Sequence, residues 1–229
     1  MENSIKIISK SEYLKNHKKP VQEDVWDEIA DLWVECRQGK IPIVAEFLKG
    51  KKGRIVDLGC GSGRNMINPK LEYYEVDFSE EQLKSAEKIS EERKINAKFF
   101  KSKIDKLDLN IFKNNIFDYG LFIATLHCLE SGDERENALK EFYRVLKNGA
   151  EALTTVWNSE DKRFDNVKNH GDIYMSWRKD GKEYMRNYYL YSKDELLDLL
   201  KKTGFEILEI YPAGKDRFSK KNWIVRVRK

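Results

Sequence analysis

Three glycines at alternate positions are the residues of this chain whose spacing most clearly indicates chemistry. Gly59, Gly61 and Gly63 follow a short apolar run at 55–58, in which Asp57 stands two positions before the first glycine. A buried strand that ends in glycines lets the backbone turn sharply and approach a ligand closely. The pattern therefore predicts a ligand-binding turn at the end of a strand.

The spacing of the glycines favours one kind of ligand over another. A dinucleotide-binding turn needs G-x-G-x-x-G, and here Arg64 stands where its third glycine would be. The pattern D-x-G-x-G-x-G resembles the first motif of the class I S-adenosylmethionine methyltransferases. A plain glycine turn without a ligand is the alternative. The resemblance implies cofactor contacts from Asp57, Gly59, Cys60, Gly61 and Gly63.

A second acidic residue, Asp77, follows the next predicted strand at 73–76. It comes about 20 residues after Asp57, a distance suited to a carboxylate that accepts both ribose hydroxyls of an adenosyl group. We therefore assign Asp77 and Phe78 to the cofactor site. The alternative is an ordinary acid in the first turn of the following helix.

The partner of the adenine ring stays unassigned. Methyltransferases of this class often carry an aspartate just after the third strand, which is predicted here within 97–107. Lys103 occupies the best-matching position, and Asp105 stands two residues on. Asp105 or a backbone carbonyl could serve instead.

The loop after the fourth predicted strand, at 117–123, should face the same crevice. Ligands of open parallel sheets lie beyond the carboxyl ends of the strands. We therefore expect Ala124 and Thr125 to contact the cofactor. His127 could orient a substrate or pack against the cofactor, and the alternative is a purely structural histidine.

Composition sets the size and class of the protein. The chain has 229 residues, 40% of them hydrophobic and 36% charged, which suits one α/β domain with a highly charged surface. Residues 1–20 are expected to be a polar, flexible lead-in, and 21–229 a single domain. Within that domain, about 158–187 is predicted to be a long insertion on the substrate side, mostly loop. Its interleaved aromatic and basic residues suit unstacked bases and phosphates, and a disordered surface loop is the alternative.

The charge and the cysteine content indicate which partners and which cellular compartment to expect. The net charge of +4 does not by itself indicate a nucleic-acid binder, but residues 201–229 hold nine Lys/Arg against three Asp/Glu. No run of about 18 apolar residues occurs, so no membrane partner is expected. The N terminus lacks the apolar core of a signal peptide. The scattered Cys36, Cys60 and Cys128 predict neither a metal site nor a disulfide framework, and we expect a cytoplasmic protein.

The chain as a whole resembles one family. The segments V-W-D-E-I-A-D-L-W-V-E-C-R, L-H-C-L-E-S, M-R-N-Y-Y-L-Y-S and K-N-W-I-V-R-V-R-K, at 25–37, 126–131, 185–192 and 221–229, flank the glycine motif in this order. They resemble the tRNA wobble-uridine carboxymethyl methyltransferases, which use S-adenosylmethionine to esterify a carboxymethyl group on the uridine. The resemblance implies a Rossmann-like α/β fold. Its sheet would be seven-stranded and mostly parallel, with an antiparallel C-terminal hairpin and helices on both faces.

The resemblance also implies site residues and partners. It assigns Arg37, His127 and Arg186 to the catalytic site. Substrate contacts would come from Arg37, Trp177, Arg186, Tyr188 and Asn222. A carboxylate acceptor is already ionised near pH 7, so catalysis would consist of positioning and need no general base. Each arginine has a surface ion pair as its alternative. The partners implied are tRNA and a small zinc-binding activator protein.

The chain departs from the family pattern at three places. Asn187 and Tyr189 stand where the family has tyrosine and histidine, and His127-Cys128 replaces a histidine pair. Two other functions therefore remain open. One is a methyltransferase acting on a small molecule or a protein. The other, to which only Lys103 points, is a non-catalytic tRNA- or protein-binding module that keeps the fold.

Overall fold

The computed structural model describes residues 5–37, 39–165, 167, 171–211, 216 and 218–229. Its strands are β1 (Ile7–Ser9), β2 (Gly53–Leu58), β3 (Leu71–Asp77), β4 (Ala97–Lys101), β5 (Phe117–Ile123), β6 (Leu146–Trp157), β7 (Asp172–Lys179), β8 (Lys182–Tyr189), β9 (Glu206–Tyr211) and β10 (Asn222–Arg228). Its helices are α1 (Lys10–Tyr13), α2 (Gln22–Glu28), α3 (Ala30–Cys36), α4 (Pro42–Leu48), α5 (Glu80–Arg93), α6 (Gly132–Val145) and α7 (Lys193–Lys202). Among the described residues, none of the helices combines the length and apolar content needed to span a membrane.

Seven strands form the central sheet, in the order β4-β3-β2-β5-β6-β10-β9. Strands β2 to β6 run parallel to one another, and β10 runs antiparallel to both of its neighbours. The predicted fold class, a mostly parallel sheet closed by an antiparallel C-terminal hairpin, is confirmed. The carboxyl ends of the parallel strands therefore meet at one edge of the sheet.

Two apolar cores cover the two faces of this sheet, because side chains alternate between the faces along each strand. Ile55 packs with α4 and with Ala86 of α5 on one face. Its neighbour Val56 packs with α6 and α7 on the other face. Strand β2, buried at its last four residues, is thus held firmly where the glycine turn begins.

A second sheet of three strands, β1-β7-β8, stands beside the first. Asp180 and Gly181, with φ of 50° and 76°, form the tight turn between β7 and β8, as a D-G pair in a hairpin does. The interpretation of 158–187 as mostly loop is therefore wrong, since this hairpin occupies 172–189. Ile7 of β1 pairs with Met175, so the predicted lead-in contains regular structure at 7–13.

Side-chain hydrogen bonds cap the N termini of α5 and α7. Ser192 and Glu195 form the reciprocal capping box that the S-x-x-E pattern predicts for α7. At α5 only half of the equivalent arrangement forms, because the Ser79 hydroxyl accepts a hydrogen bond from the Gln82 backbone N–H, whereas the Ser79 backbone N–H donates to Asp77 and not to the Gln82 side chain. The side chain of Gln82 is thereby left for another use.

Candidate functional site

A cavity of about 800 Å³ lies at the carboxyl ends of β2, β3 and β5, bordered by residues of α2 and α3. It brings together most of the predicted cofactor residues and several predicted substrate residues. Those that line it are Arg37, Gly59, Cys60, Gly61, Asp77, Phe78, Ala124, Thr125, His127, Tyr188 and Asn222. Four others are not among the lining residues, namely Asp57, Gly63, Trp177 and Arg186.

The three glycines of the turn serve two different purposes. All three have positive φ, of 73°, 55° and 73°. A Cβ at Gly59 would collide with Thr125, and one at Gly63 would lie 3.0 Å from the Ala86 side chain. A Cβ at Gly61 would meet only the Gln82 side-chain oxygen, at 3.7 Å. Two glycines therefore permit close packing, while Gly61 keeps a cradle open toward the cavity.

Asp77 ties the glycine turn to the end of β3. Its Oδ2 accepts a 2.8 Å hydrogen bond from the Gly61 backbone, and its Oδ1 accepts one of 3.0 Å from the Ser79 backbone. Burial raises the pKa of Asp77 to about 6, against the lowering by these N–H donors. The carboxylate is therefore mostly ionised at pH 7, and its remaining lone pairs can accept from a ligand.

Asp57 does not line the cavity, but it accepts a hydrogen bond from a residue that does. It is fully buried, and its Oδ2 accepts a 2.9 Å hydrogen bond from the side-chain amide of Asn65, which lines the cavity. The sequence analysis did not single out Asn65, although it lies within the same glycine-rich segment. The acid before the turn thus orients an amide that faces the ligand.

Gln82 is a second cavity residue that no sequence motif marks as a ligand contact. It lines the cavity with only 2% of its surface exposed, and neither its Nε2 nor its Oε1 has a hydrogen-bond partner among the described residues. A buried polar group without a partner costs about 1–3 kcal/mol. A ligand with hydroxyl or amino groups would satisfy this amide, so Gln82 is a candidate ligand contact.

The loop after β5 is strained and tied to the glycine turn. Ala124 has a φ of 55°, which is unfavourable for a residue other than glycine. Its backbone N–H donates to both the carbonyl and the hydroxyl oxygen of Thr155, at 3.0 and 2.9 Å. Thr125 donates a 3.0 Å hydrogen bond from Oγ1 to the Gly59 carbonyl. Backbone strain held in this way is typical of a binding site.

His127 lines the cavity as a neutral group. Its Nδ1 accepts a 3.2 Å hydrogen bond from the Trp157 backbone, and its ring stacks on that of Trp157 at 4.9 Å. Burial, helped by the charge of Arg163, lowers the pKa of His127 to about 3. Because Nδ1 accepts, the proton lies on Nε2. His127 can donate a hydrogen bond, but it cannot take up a proton near pH 7.

Tyr188 lies at the wall of the cavity, and Arg186 contacts it from behind. The Tyr188 ring stacks on Trp157 at 4.0 Å and lines the cavity. Arg186, only 2% exposed, donates a 2.8 Å hydrogen bond from Nη1 to the Tyr188 hydroxyl. Rings of Trp33 and Trp177 lie 5.3 and 4.9 Å from the guanidinium. Arg186 and Trp177 thus stand behind the cavity, and Tyr188 stands at it.

Arg186 has no acidic partner within the described part of the chain. Its Nε is buried without any hydrogen-bond partner. A buried charge without a counter-ion is costly. The alternative that Arg186 makes a surface ion pair is therefore wrong. Arg37 differs, since it lines the cavity with its guanidinium 4.5 Å from the Trp33 ring.

The predicted basic stretch at 201–229 does not form one continuous surface. Lys202, Arg226 and Arg228 pair with Glu136, Glu209 and Glu206, at 2.6, 3.4 and 3.1 Å. Lys221 and Lys103 line the cavity. Lys215 and Arg217 lie outside the described residues.

Comparisons with known proteins agree on one class. A family model described as a methyltransferase domain matches residues 49–204. The chain is 28% identical to the tRNA (carboxymethyluridine(34)-5-O)-methyltransferase of Schizosaccharomyces pombe, over 88% of this chain and 92% of that one. The protein of that name from Saccharomyces cerevisiae is 29% identical, over 67% and 54%. Among solved structures, a SAM-dependent methyltransferase from Methanosarcina mazei superposes with a TM-score of 0.66 at 23% identity, covering 82% of this chain and 97% of that one.

Proposed function

This chain belongs to the methyltransferase domain family, and we propose that it esterifies the carboxymethyl group of a modified wobble uridine in tRNA. The protein is an S-adenosylmethionine-dependent methyltransferase.

The residues at the glycine turn fit S-adenosylmethionine. The cradle at Gly61 leaves room for an amino-acid chain, and Asp77 offers a carboxylate for ribose hydroxyls. The unpartnered amide of Gln82 needs a polar ligand group. Asp105, which also lines the cavity, is our candidate for adenine. When bound, the cofactor supplies an electrophilic methyl group, and these residues would hold and orient it.

The observation that carries the proposed acceptor is the bond from Arg186 to Tyr188. Arg186 occupies a lone pair of the Tyr188 hydroxyl, so the hydroxyl proton is left to face an acceptor in the cavity. Burial raises the pKa of Tyr188, so that proton stays in place. A buried cation behind a hydrogen-bond donor favours an anionic group at this position. A carboxylate acceptor has this charge.

The same geometry suits a reaction without a general base. A carboxylate is ionised at pH 7 and attacks without losing a proton. The neutral His127 then needs only to donate from Nε2 and help position the acceptor. Because Arg186 acts through Tyr188, the acceptor would not be quenched by a direct ion pair. In-line positioning would supply most of the rate.

Two partners belong to the proposal. Basic side chains of Arg37, Lys103, Arg163 and Lys221 line the cavity and would contact phosphates of tRNA. A cytoplasmic location is part of the same proposal. Strand β4 is an edge of the central sheet, and the apolar Leu109 and Ile111 after it are exposed. An open edge beside exposed apolar side chains supports a small zinc-binding activator that adds a strand there.

The test is methyl transfer to defined tRNAs. Purified protein, with and without the zinc-binding partner, would receive labelled S-adenosylmethionine and tRNA carrying either carboxymethyluridine or unmodified uridine at the wobble position. We expect label only with the carboxymethyl substrate, and mass spectrometry should find the methyl ester. Label on a small carboxylic acid or a protein, with none on tRNA, would contradict the proposal and favour the alternative acceptor class.

A further inference from the structure

Two buried carboxyl groups lie side by side beneath the glycine turn. Asp57 of β2 and Glu75 of β3 are partners in the parallel register, so their side chains project from the same face. Both are fully buried. Among the described residues, the Asn65 amide donates to Asp57 Oδ2, whereas no N–H or O–H group donates to Glu75, which faces the Cys60 thiol, a weak donor. Three of the four carboxyl oxygens therefore lack an N–H or O–H donor within the described part of the chain.

Adjacent buried carboxylates cannot both be ionised, because each charge disfavours the other and neither is hydrated. Such a pair keeps a proton that belongs to both groups. Asp77 lies on the same face of β3, but two backbone N–H groups stabilise its charge. Glu75, which faces a weak thiol donor but accepts from no described N–H or O–H group, is therefore the one that keeps a proton.

We propose that Glu75 is a positioning residue that shares one proton with Asp57 and so sets the charge beneath the cofactor turn. Burial is the main cause that raises the pKa of Asp57 to about 7 and that of Glu75 well above its usual value. The pair thus holds two protons and no net charge well below pH 7, and one shared proton and one negative charge well above it.

The groups that face the pair come from β3 and from the glycine turn. From β3 come Asp77 and Tyr73, and from the turn come Cys60, Arg64 and Asn65, whose amide bonds Asp57. Arg64 is the one cation among them, and it favours the ionised form of Asp57. Of the residues from α5 in this core, Ala86 carries no charge and Gln82 is a neutral amide.

The pair should distinguish cofactor from product by charge. S-adenosylmethionine carries a sulfonium, an ammonium and a carboxylate, for a net charge of +1, whereas the demethylated product has lost the sulfonium charge. A cation binds better above an ionised pair, so its binding releases a proton when the free pair is protonated. This inference rests on the cofactor alone and does not depend on the acceptor.

Calorimetry on the unaltered protein tests the proton directly. Binding enthalpies at pH 6.5 would be measured in two buffers of different ionisation enthalpy, with S-adenosylmethionine and then with S-adenosylhomocysteine. We expect release of a fraction of a proton with the cofactor and a smaller release with the product. No release with the cofactor, or equal release with both, would overturn the proposal.

The variant Glu75→Gln tests which residue is responsible. A neutral amide can donate to the unpartnered Asp57 oxygen, which should then stay ionised. In the wild type, cofactor affinity should fall by up to about tenfold per pH unit below neutrality. In Glu75→Gln it should be nearly flat between pH 6 and 8. Glu72→Gln, on the same strand but in surface ion pairs with Arg54 and Lys98, is the matched control and should behave as wild type.

The two experiments still test the proposal if Glu75→Gln is less stable than the wild type. Its fold would be checked by thermal unfolding, and the proton release on the wild type is independent of that variant. A wild-type slope that persists unchanged in a folded Glu75→Gln protein would show that Asp57 or Asp77 titrates without Glu75.

Discussion

The carboxylate of Asp27, on α2, accepts a 2.5 Å hydrogen bond from the hydroxyl of Ser79, the residue that caps α5. The same Asp27 oxygen also accepts from the Glu81 backbone, at 3.3 Å. Ser79 stands two residues after Asp77. The bond therefore connects α2, which borders the cavity, to the start of α5. This start lies next to Asp77, the residue expected to bind the ribose.

Loss of this bond should weaken cofactor binding. Asp27→Ala removes both contacts, and a hydrogen bond to a charged group is worth about 1.5–3 kcal/mol. Part of that energy should appear as a higher Kd for S-adenosylmethionine, measured by calorimetry. The control is Asp31→Ala on the neighbouring helix α3. It removes an exposed acid that pairs with Lys179 of β7. Equal effects of the two variants would show that Asp27 does not couple α2 to the site.

Alanine substitutions at Gly61 and at Gly63 should have different effects on cofactor affinity and on the free energy of unfolding. Alanine at Gly61 or at Gly63 costs about 1–2 kcal/mol for the positive φ alone. Gly63→Ala adds a collision with Met66 and Ala86, so its free energy of unfolding should fall further. Gly61→Ala should lose more cofactor affinity, since its Cβ enters the cradle. Urea unfolding and cofactor titration would test this, and the reverse ranking would refute the division of roles.

Local patterns predict which strand ends meet at the cavity. The glycine turn and Asp77 depend on spacing within a few residues, and the structure places them together there. Their role as cofactor contacts stays a prediction. Gln82 and Glu75 could not be found in this way. Their lack of partners arises only when other elements bury them. The sequence shows their polarity, but the fold determines whether water reaches them.

The substrate side was harder to predict for a different reason. The D-G pair at 180–181 is typical of a hairpin turn, but the polar residues around it favour a loop, whereas the structure has a hairpin there. Once β8 is recognised, Arg186 and Tyr188 fall on one face of it, two residues apart. Which of them reaches the cavity depends on how the second sheet packs against the first. That packing has no local sequence signal.

The neutral state of His127 should make stability depend on pH. Its pKa is about 3 in the folded protein and 6.5 when unfolded, so the unfolded chain binds more protons between these values. This group's contribution is therefore fully present above pH 6.5 and is lost as pH falls, by up to about 1.4 kcal/mol per pH unit. His127→Asn should lack that dependence, and denaturant unfolding at pH 7 and pH 5 would measure the difference.

The comparison needs a control, because the buried acids titrate in the same range. Those groups have raised pKa values, so their contribution has the opposite sign. Subtracting the pH profile of His127→Asn from that of the wild type isolates the histidine. The exposed His17→Asn should leave the wild-type profile unchanged. Identical profiles for wild type and His127→Asn would contradict the neutral buried state.

Arg186 should matter for methyl transfer and little for cofactor binding. Arg186→Met keeps much of the side-chain length inside the cage of Trp33 and Trp177 while removing the charge. Without the cation, the Tyr188 hydroxyl is a weaker donor to an anionic acceptor. We expect the rate of transfer to tRNA to fall by roughly 10–100-fold, as for loss of a charge-assisted contact of about 1.4–3 kcal/mol.

The readouts distinguish this role from a structural one. The Kd for S-adenosylmethionine should stay within about twofold of the wild type, and Arg186→Lys should restore part of the activity. Arg178→Met, on the exposed side of the same hairpin, is the matched control. A parallel loss of cofactor affinity and activity in Arg186→Met would instead indicate general damage to the second sheet.

Salt dependence should identify which basic residues contact tRNA. Each phosphate contact contributes to the slope of log affinity against log salt, so losing one contact lowers that slope by about 1. Lys103→Ala and Lys221→Ala remove cations that line the cavity, and each should reduce the slope. Arg226→Ala and Arg228→Ala remove cations of β10 that are not among the residues lining the cavity, and both should leave it unchanged. Filter binding of bulk tRNA between 50 and about 200 mM salt would measure the four slopes. A reduced slope only in the Arg226 and Arg228 variants would move the tRNA surface to the C-terminal strand, away from the cavity.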